Sequence, residues 1–313
     1  MGRFRNGGLF LFLSVLWGTS FMAIKAGLAF MPPVLFAALR YDVAGVLMLG
    51  FAATTTDYWR PRTRGDWTTV FVGATLIIGL YNAFLFIGEQ GVTSGVAAIL
   101  IGMNPVLSTV FSRLFLPSER LTLVGLVGLT CGFIGVGLVA GPNPSNVLAN
   151  DLVFPGFVLL AAVCVALGSV LVQRIDGGIS SEGMVAWSNA LGAVLLHAVS
   201  FGLPSESLVQ AEFTTGALAA IVYLAVLASA VGYFIYFELL DRLGAIEINL
   251  VSYTAPVFAA LSGWLVLGES IDPLSVVGFV AIFSGFVLLK RQALRAEIQT
   301  FRSNVESGSD AEG

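Results

Sequence analysis

Apolar stretches of about twenty residues follow one another along almost the whole chain, each bounded by Gly, Pro or a charged residue. At 1.5 Å per residue, each stretch is long enough to cross ~30 Å of hydrocarbon as an α-helix. The pattern predicts ten helices, near 8–29, 33–53, 67–88, 93–115, 120–140, 152–173, 184–203, 215–239, 245–267 and 273–290. Only 11% of the residues are charged and 57% are hydrophobic. A water-exposed surface needs about 25% charge, so the solvent of this chain is largely lipid. The fold class is an all-α membrane protein.

The N-terminal run follows Arg3 and Arg5 like a signal peptide but continues past Trp17 to Lys25 with no small-residue cleavage site, and reads as a retained first helix. A formal net charge of −4 leaves no basic footprint for nucleic acid. Cys131 and Cys164 both lie in apolar runs, where cysteine acts as a small hydrophobe. A single histidine, His197, forms no metal cluster by itself. The GxxxxGK[ST] phosphate loop is absent, which argues against direct ATP hydrolysis. These features predict no enzyme activity, no cofactor and no metal.

With the N-terminus inside, thirteen of the fifteen Lys and Arg residues fall on the inner side, from Arg3 and Arg5 to Arg291, Arg295 and Arg302. Lys25 and Arg40 remain within helices, and the outer loops receive none. The positive-inside rule then places both termini in the cytoplasm, with the chain in the plasma membrane.

Two stretches share a pattern. NPVLSTVF begins at Asn104 and APVFAALS at Ala255, aligning Pro105 with Pro256. Downstream, Glu119, Gly128 and Gly135 keep the spacing Glu-x8-Gly-x6-Gly of Glu269, Gly278 and Gly285. Each unit holds five predicted helices, an odd number, so the second is inverted in the membrane relative to the first. The domains are then residues 1–140, a first five-helix repeat, residues 152–290, a second, and a polar cytoplasmic tail over 291–313. Inverted repeats are the architecture of secondary transporters.

Trp17-Gly18-Thr19-Ser20-Phe21 with Lys25 resembles the opening of the EamA-type transporters of the drug/metabolite transporter superfamily. So do Arg40 in helix 2, the Pro105-Val-Leu block through Ser118-Glu119-Arg120, and Pro256-Val-Phe through Leu267-Gly268-Glu269. The first half carries Leu116-Pro117-Ser118-Glu119 in place of Leu-Gly-Glu. The resemblance spans residues 8–290. It implies ten helices around a central cavity lined chiefly by helices 1, 3, 4, 6, 8 and 9. It also implies efflux of amino acids, metabolites or drugs, with protons as the candidate coupling ion. The expected partners are a small organic solute and the lipid bilayer; the sequence does not fix the oligomeric state.

Candidate pathway residues follow from polarity at depth. Arg40 and Asp42 lie seven to nine residues inside helix 2, where each charge costs at least ~2.5 kcal/mol. The functional reading is carboxylate binding by Arg40 or proton coupling by Asp42; the structural reading is interhelix hydrogen bonding. Trp17, Thr19 and Ser20 in helix 1, Tyr81 and Asn82 in helix 3, and Tyr233 and Tyr236 in helix 8 suit an aromatic wall with few polar fixings. Hydrogen bonding between helices is the alternative for the hydroxyls. Asn104 and Thr254 flank the kinks expected at Pro105 and Pro256, where freed carbonyls could line a midplane site. Lys25 is expected to snorkel to the outer interface, and Glu89, Glu238 and Glu247 to sit at solvated helix ends. Glu119 and Glu269 are expected to favour the positive ends of helix dipoles. A non-transporting scaffold or receptor is the rival to transport, and would lack a polar cavity.

Overall fold

The computed structural model describes residues 2–116, 123–140, 152–243, 248 and 250–288. Ten helices stand among these residues. They are α1 (Gly2–Gly27), α2 (Pro33–Thr55), α3 (Arg64–Glu89), α4 (Ser94–Phe115) and α5 (Leu123–Ala140) in the first half. The second half has α6 (Val153–Ile175), α7 (Ser181–Gly202), α8 (Thr215–Leu243), α9 (Val251–Leu267) and α10 (Pro273–Leu288). The protein is an all-α membrane protein of ten transmembrane helices arranged as two inverted five-helix repeats.

Local chemistry explains where helices begin. Pro33 opens α2 at a position where its missing N–H costs nothing. Thr63 and Asp66 form a reciprocal capping box at the head of α3, and Asp66 also accepts from Tyr58 Oη at 2.6 Å. Glu206, from the α7–α8 connection, accepts the backbone N–H groups of Val34 and Leu35 at 3.1 and 2.9 Å and so caps α2. Burial pushes the Glu206 carboxyl above its ordinary value, and the two backbone N–H groups pull part of that shift back.

The packing obeys the inverted repeat. Exchanging α1 with α6, α2 with α7, α3 with α8 and α4 with α9 turns several of the main interhelix contacts into one another. The pair α1–α9 becomes α6–α4, α3–α6 becomes α8–α1, and α2–α8 becomes α7–α3, all of which exist. The pairs α2–α7 and α4–α9 map onto themselves.

The glycines that keep register between the repeats meet each other. A Cβ on Gly135 would lie 2.6 Å from the carbonyl oxygen of Gly278, and one on Gly285 would lie 2.5 Å from that of Gly128. Thus α5 and α10 touch backbone to backbone along a stripe that only glycine permits.

Two irregularities occupy matching places. A π-helical segment, Gly73–Leu80, lies within α3, and its counterpart, Tyr223–Val231, lies within α8. The wider coil rotates the side chains that follow, and such segments cluster at functional sites. The proline positions differ between the halves. In α4 the helix stops at Ile101, turns through Gly102 and Met103, and restarts at Asn104 with Pro105 in its first turn. In α9 the helix continues from Val251 through Pro256. The aligned prolines therefore sit differently, at a helix restart in α4 and inside a continuous helix in α9. The two regions face each other, with Ser252 O 3.4 Å from where a Gly102 Cβ would be.

Candidate functional site

The bundle encloses a central cavity of about 430 Å³, within the range that takes small organic ligands. Its walls come from α1, α3, α4, α6, α8 and α9, with α2 and α7 added. It runs from Ser181 and Leu240, at the end of the bundle carrying the N-terminus, to Ile24, Leu85 and Ala98 near the other end. A second hollow of about 470 Å³ lies between α4, α9 and α10. Its side chains, such as Val257 and Val276, are exposed on the bundle's outer face, so it reads as a groove for lipid.

Trp17, Ser20, Arg40, Tyr81, Asn104, Tyr233, Tyr236 and Pro256 come together on the central wall. The rings pack on one another: Trp17 lies 5.6 Å from Tyr236 and 6.1 Å from Tyr233, centroid to centroid. Several of the wall's polar atoms are spent locally. Trp17 Nε1 donates to Ala228 O at 3.0 Å, Ser20 Oγ to Trp17 O at 2.6 Å, and Ser108 Oγ to Asn104 Oδ1 at 3.1 Å.

Arg40 is the one charged side chain on the wall among the described residues. It is 8% exposed, and its Nη2 reaches only Ser229 Oγ, at a long 3.4 Å. Its Nε is buried with no hydrogen-bond partner, and no carboxylate lies within ion-pair distance among the described residues. The guanidinium carbon sits 4.9 Å from the centre of the Tyr41 ring.

Other candidates stand outside the cavity. Thr254 shares a 2.6 Å hydrogen bond with Ser14 between α9 and α1, and Thr19 bonds Tyr223 between α1 and α8. Asn82 is buried and donates to Ile78 O within its own helix. Asp42 pairs with His197 Nε2 at 2.8 Å on the α2–α7 flank. The Thr254, Thr19 and Asp42 contacts join helices, and that of Asn82 stays within one. Pro105 follows Asn104 at the α4 restart and does not itself line the wall.

The end of the bundle away from the N-terminus is closed by a polar seal whose members the sequence gives different places. Lys25 is partly exposed near the end of α1. Its ammonium donates to the backbone oxygens of Glu89, Gln90 and Val92 at 2.6, 3.1 and 2.9 Å, capping the C-terminal end of α3. Glu269 accepts from Ser94 N at 3.0 Å and from Ser94 Oγ at 3.3 Å, so it caps α4, across the repeat boundary. Glu89 is not at a solvated helix end. It is fully buried, and neither carboxyl oxygen has a hydrogen-bond partner. At the opposite end Glu238 bridges Arg5 and Arg242 at 3.0 and 2.8 Å, partly exposed as expected. Glu119 and Glu247 lie outside the described residues.

The chain is similar to known proteins along its length. The EamA-like transporter family matches the chain twice, over residues 5–141 and 155–291. An "Uncharacterized transporter" of Archaeoglobus fulgidus is 27% identical over 88% of this chain and 95% of its own. "Uncharacterized transporter YvbV" of Bacillus subtilis is 26% identical over 92% of each chain. "Uncharacterized inner membrane transporter YedA" of Escherichia coli K12 is also 26% identical over 92% of each chain. A protein of known crystal structure superposes with a TM-score of 0.64 at 21% identity, covering 94% of this chain and 99% of that one, which shows a shared fold. Repeated helices, a central cavity and a family match over both halves place this multi-pass membrane protein in the EamA-like transporter family of the drug/metabolite transporter superfamily.

Proposed function

We propose that the protein is a secondary transporter that exports small organic metabolites, such as amino acids or related compounds, or drugs, by alternating access from the plasma membrane. The observation that carries this reading is the central cavity between inverted halves, which extends to the end of the bundle carrying the N-terminus and stops short of the Lys25 and Glu269 contacts at the other. Two halves with equivalent contacts can exchange roles, so a mirror arrangement open at the other end is of comparable energy. With both termini cytoplasmic, as the distribution of Lys and Arg favours, the cavity faces inward, where an exporter loads. Protons are the candidate coupling ion, and the buried Glu89 carboxyl, with Lys25, Glu269 and Arg40 as its charged neighbours, is where one would ride. The family's transport role supports a reading without catalysis.

Counterflow in proteoliposomes tests this. Vesicles loaded with unlabelled solute should transiently concentrate the labelled solute for at least one class in a panel of organic acids, amino acids, nucleosides and drugs. Folded, reconstituted protein that concentrates none of them contradicts transport and leaves the scaffold reading.

A further inference from the structure

The central cavity has an unbalanced charge. Among the described residues lining it there is one cation, Arg40, and no Asp, Glu, Lys or His. The nearby acids are engaged or walled off: Asp42 is paired with His197 on the bundle's flank, and Glu89 and Glu269 belong to the seal. A guanidinium has five N–H donors in a planar fork. Here one donor makes a 3.4 Å hydrogen bond, and Nε is buried with none. Retaining such a group inside a membrane protein is costly unless something else satisfies it.

The surroundings describe what that something is. A carboxylate offers two oxygens in the plane and spacing of the fork, and cancels the charge. The walls next to Arg40 are flat: Tyr41, Tyr81, Tyr233, Tyr236 and Trp17. Rings stack and slide on such surfaces without needing polar partners. A solute bearing an ammonium group would enter a chamber with a cation in its wall and no carboxylate to receive it.

We propose that the transported solute is a ring-bearing organic acid with a net charge of −1, whose carboxylate is held by the Arg40 guanidinium while its ring lies among the tyrosines and Trp17. This rests on the transport reading and narrows it, since it favours a monoanion over a zwitterionic amino acid or a cationic drug.

Three molecules with the same ring and chain isolate charge: 3-phenylpropionate (anion), phenylalanine (zwitterion) and phenethylamine (cation). In proteoliposome counterflow, 3-phenylpropionate should exchange at least about tenfold faster than the other two, the scale set by a charge-assisted hydrogen bond. In detergent, it alone should raise the thermal midpoint of the wild-type protein, a readout that needs no variant to fold. Arg40→Gln should remove both effects, and Arg40→Lys, which keeps the charge but not the fork, should restore part of the binding. If phenylalanine, phenethylamine or other zwitterions and cations move while monoanions do not, the charge assignment is wrong and transport stands. If no solute of any charge moves, transport itself falls and the assignment with it.

Discussion

Gly135→Leu should be among the most damaging single substitutions outside the cavity, costing about 3 kcal/mol or more. A Cβ there meets Gly278 O at 2.6 Å and Ile282 N at 2.9 Å, both backbone atoms that no rotamer change can move aside. The strain must open the α5–α10 pair along its length. Gly278→Leu should behave alike, because its Cβ meets Gly135 O at 2.7 Å. The control is on the same helix: Gly137 is exposed with nothing within 4 Å of a Cβ, so Gly137→Leu should stay within about 0.5 kcal/mol of wild type. Thermal unfolding in one detergent separates the cases. Equal midpoints for Gly135→Leu and Gly137→Leu would mean that the glycine stripe is not a close contact.

The seal should be the most sensitive part of the molecule to loss of a single charge. Glu269→Ala leaves the buried N–H at the head of α4 without its acceptor, a cost of about 1–3 kcal/mol borne only while that end is closed. Lys25→Met removes the ammonium that joins three backbone oxygens at the end of α3. Either change should shift the population towards opening at that end by about tenfold or more. Ala98→Cys reports it, because Ala98 lies at the sealed end of the cavity and is almost fully buried. With Cys131 and Cys164 replaced by alanine, an impermeant maleimide added from the sealed side should react slowly with Ala98→Cys alone and about tenfold faster when Glu269→Ala or Lys25→Met is added. An unchanged rate would assign the two residues to packing and not to closure.

Much of the architecture was legible because lipid imposes simple rules. Each span needs about twenty apolar residues, so the helix count survived even where boundaries moved by several residues. The register of Gly128 and Gly135 with Gly278 and Gly285 was visible because close backbone approach tolerates no side chain. Arg40 stood out because a charge at that depth is expensive. Other features left no local mark. The π-helical segments of α3 and α8 contain no proline, and Gly73–Leu80 reads like any apolar run. The partner of Asp42 is 155 residues away on α7, and the acceptors of Lys25 are backbone atoms, which side-chain patterns do not reveal. Burial of Glu89 depends on α6, whose Phe154 and Val158 crowd Gly91 and Gly88 beside it. The polar residues off the cavity, Thr19, Asn82 and Thr254, share composition with those on it, and only helix rotation distinguishes them.

The most direct test of alternating access is to fasten the sealed end and ask whether flux stops. Gly95 on α4 and Ala260 on α9 face each other there, with a Cβ on Gly95 3.0 Å from that of Ala260, so a small adjustment brings paired cysteines to disulfide distance. Gly95→Cys with Ala260→Cys, in a background lacking Cys131 and Cys164, should lose counterflow when oxidised and regain it when reduced. Full flux through the oxidised protein would contradict the account, because solute would then cross without the sealed end ever opening.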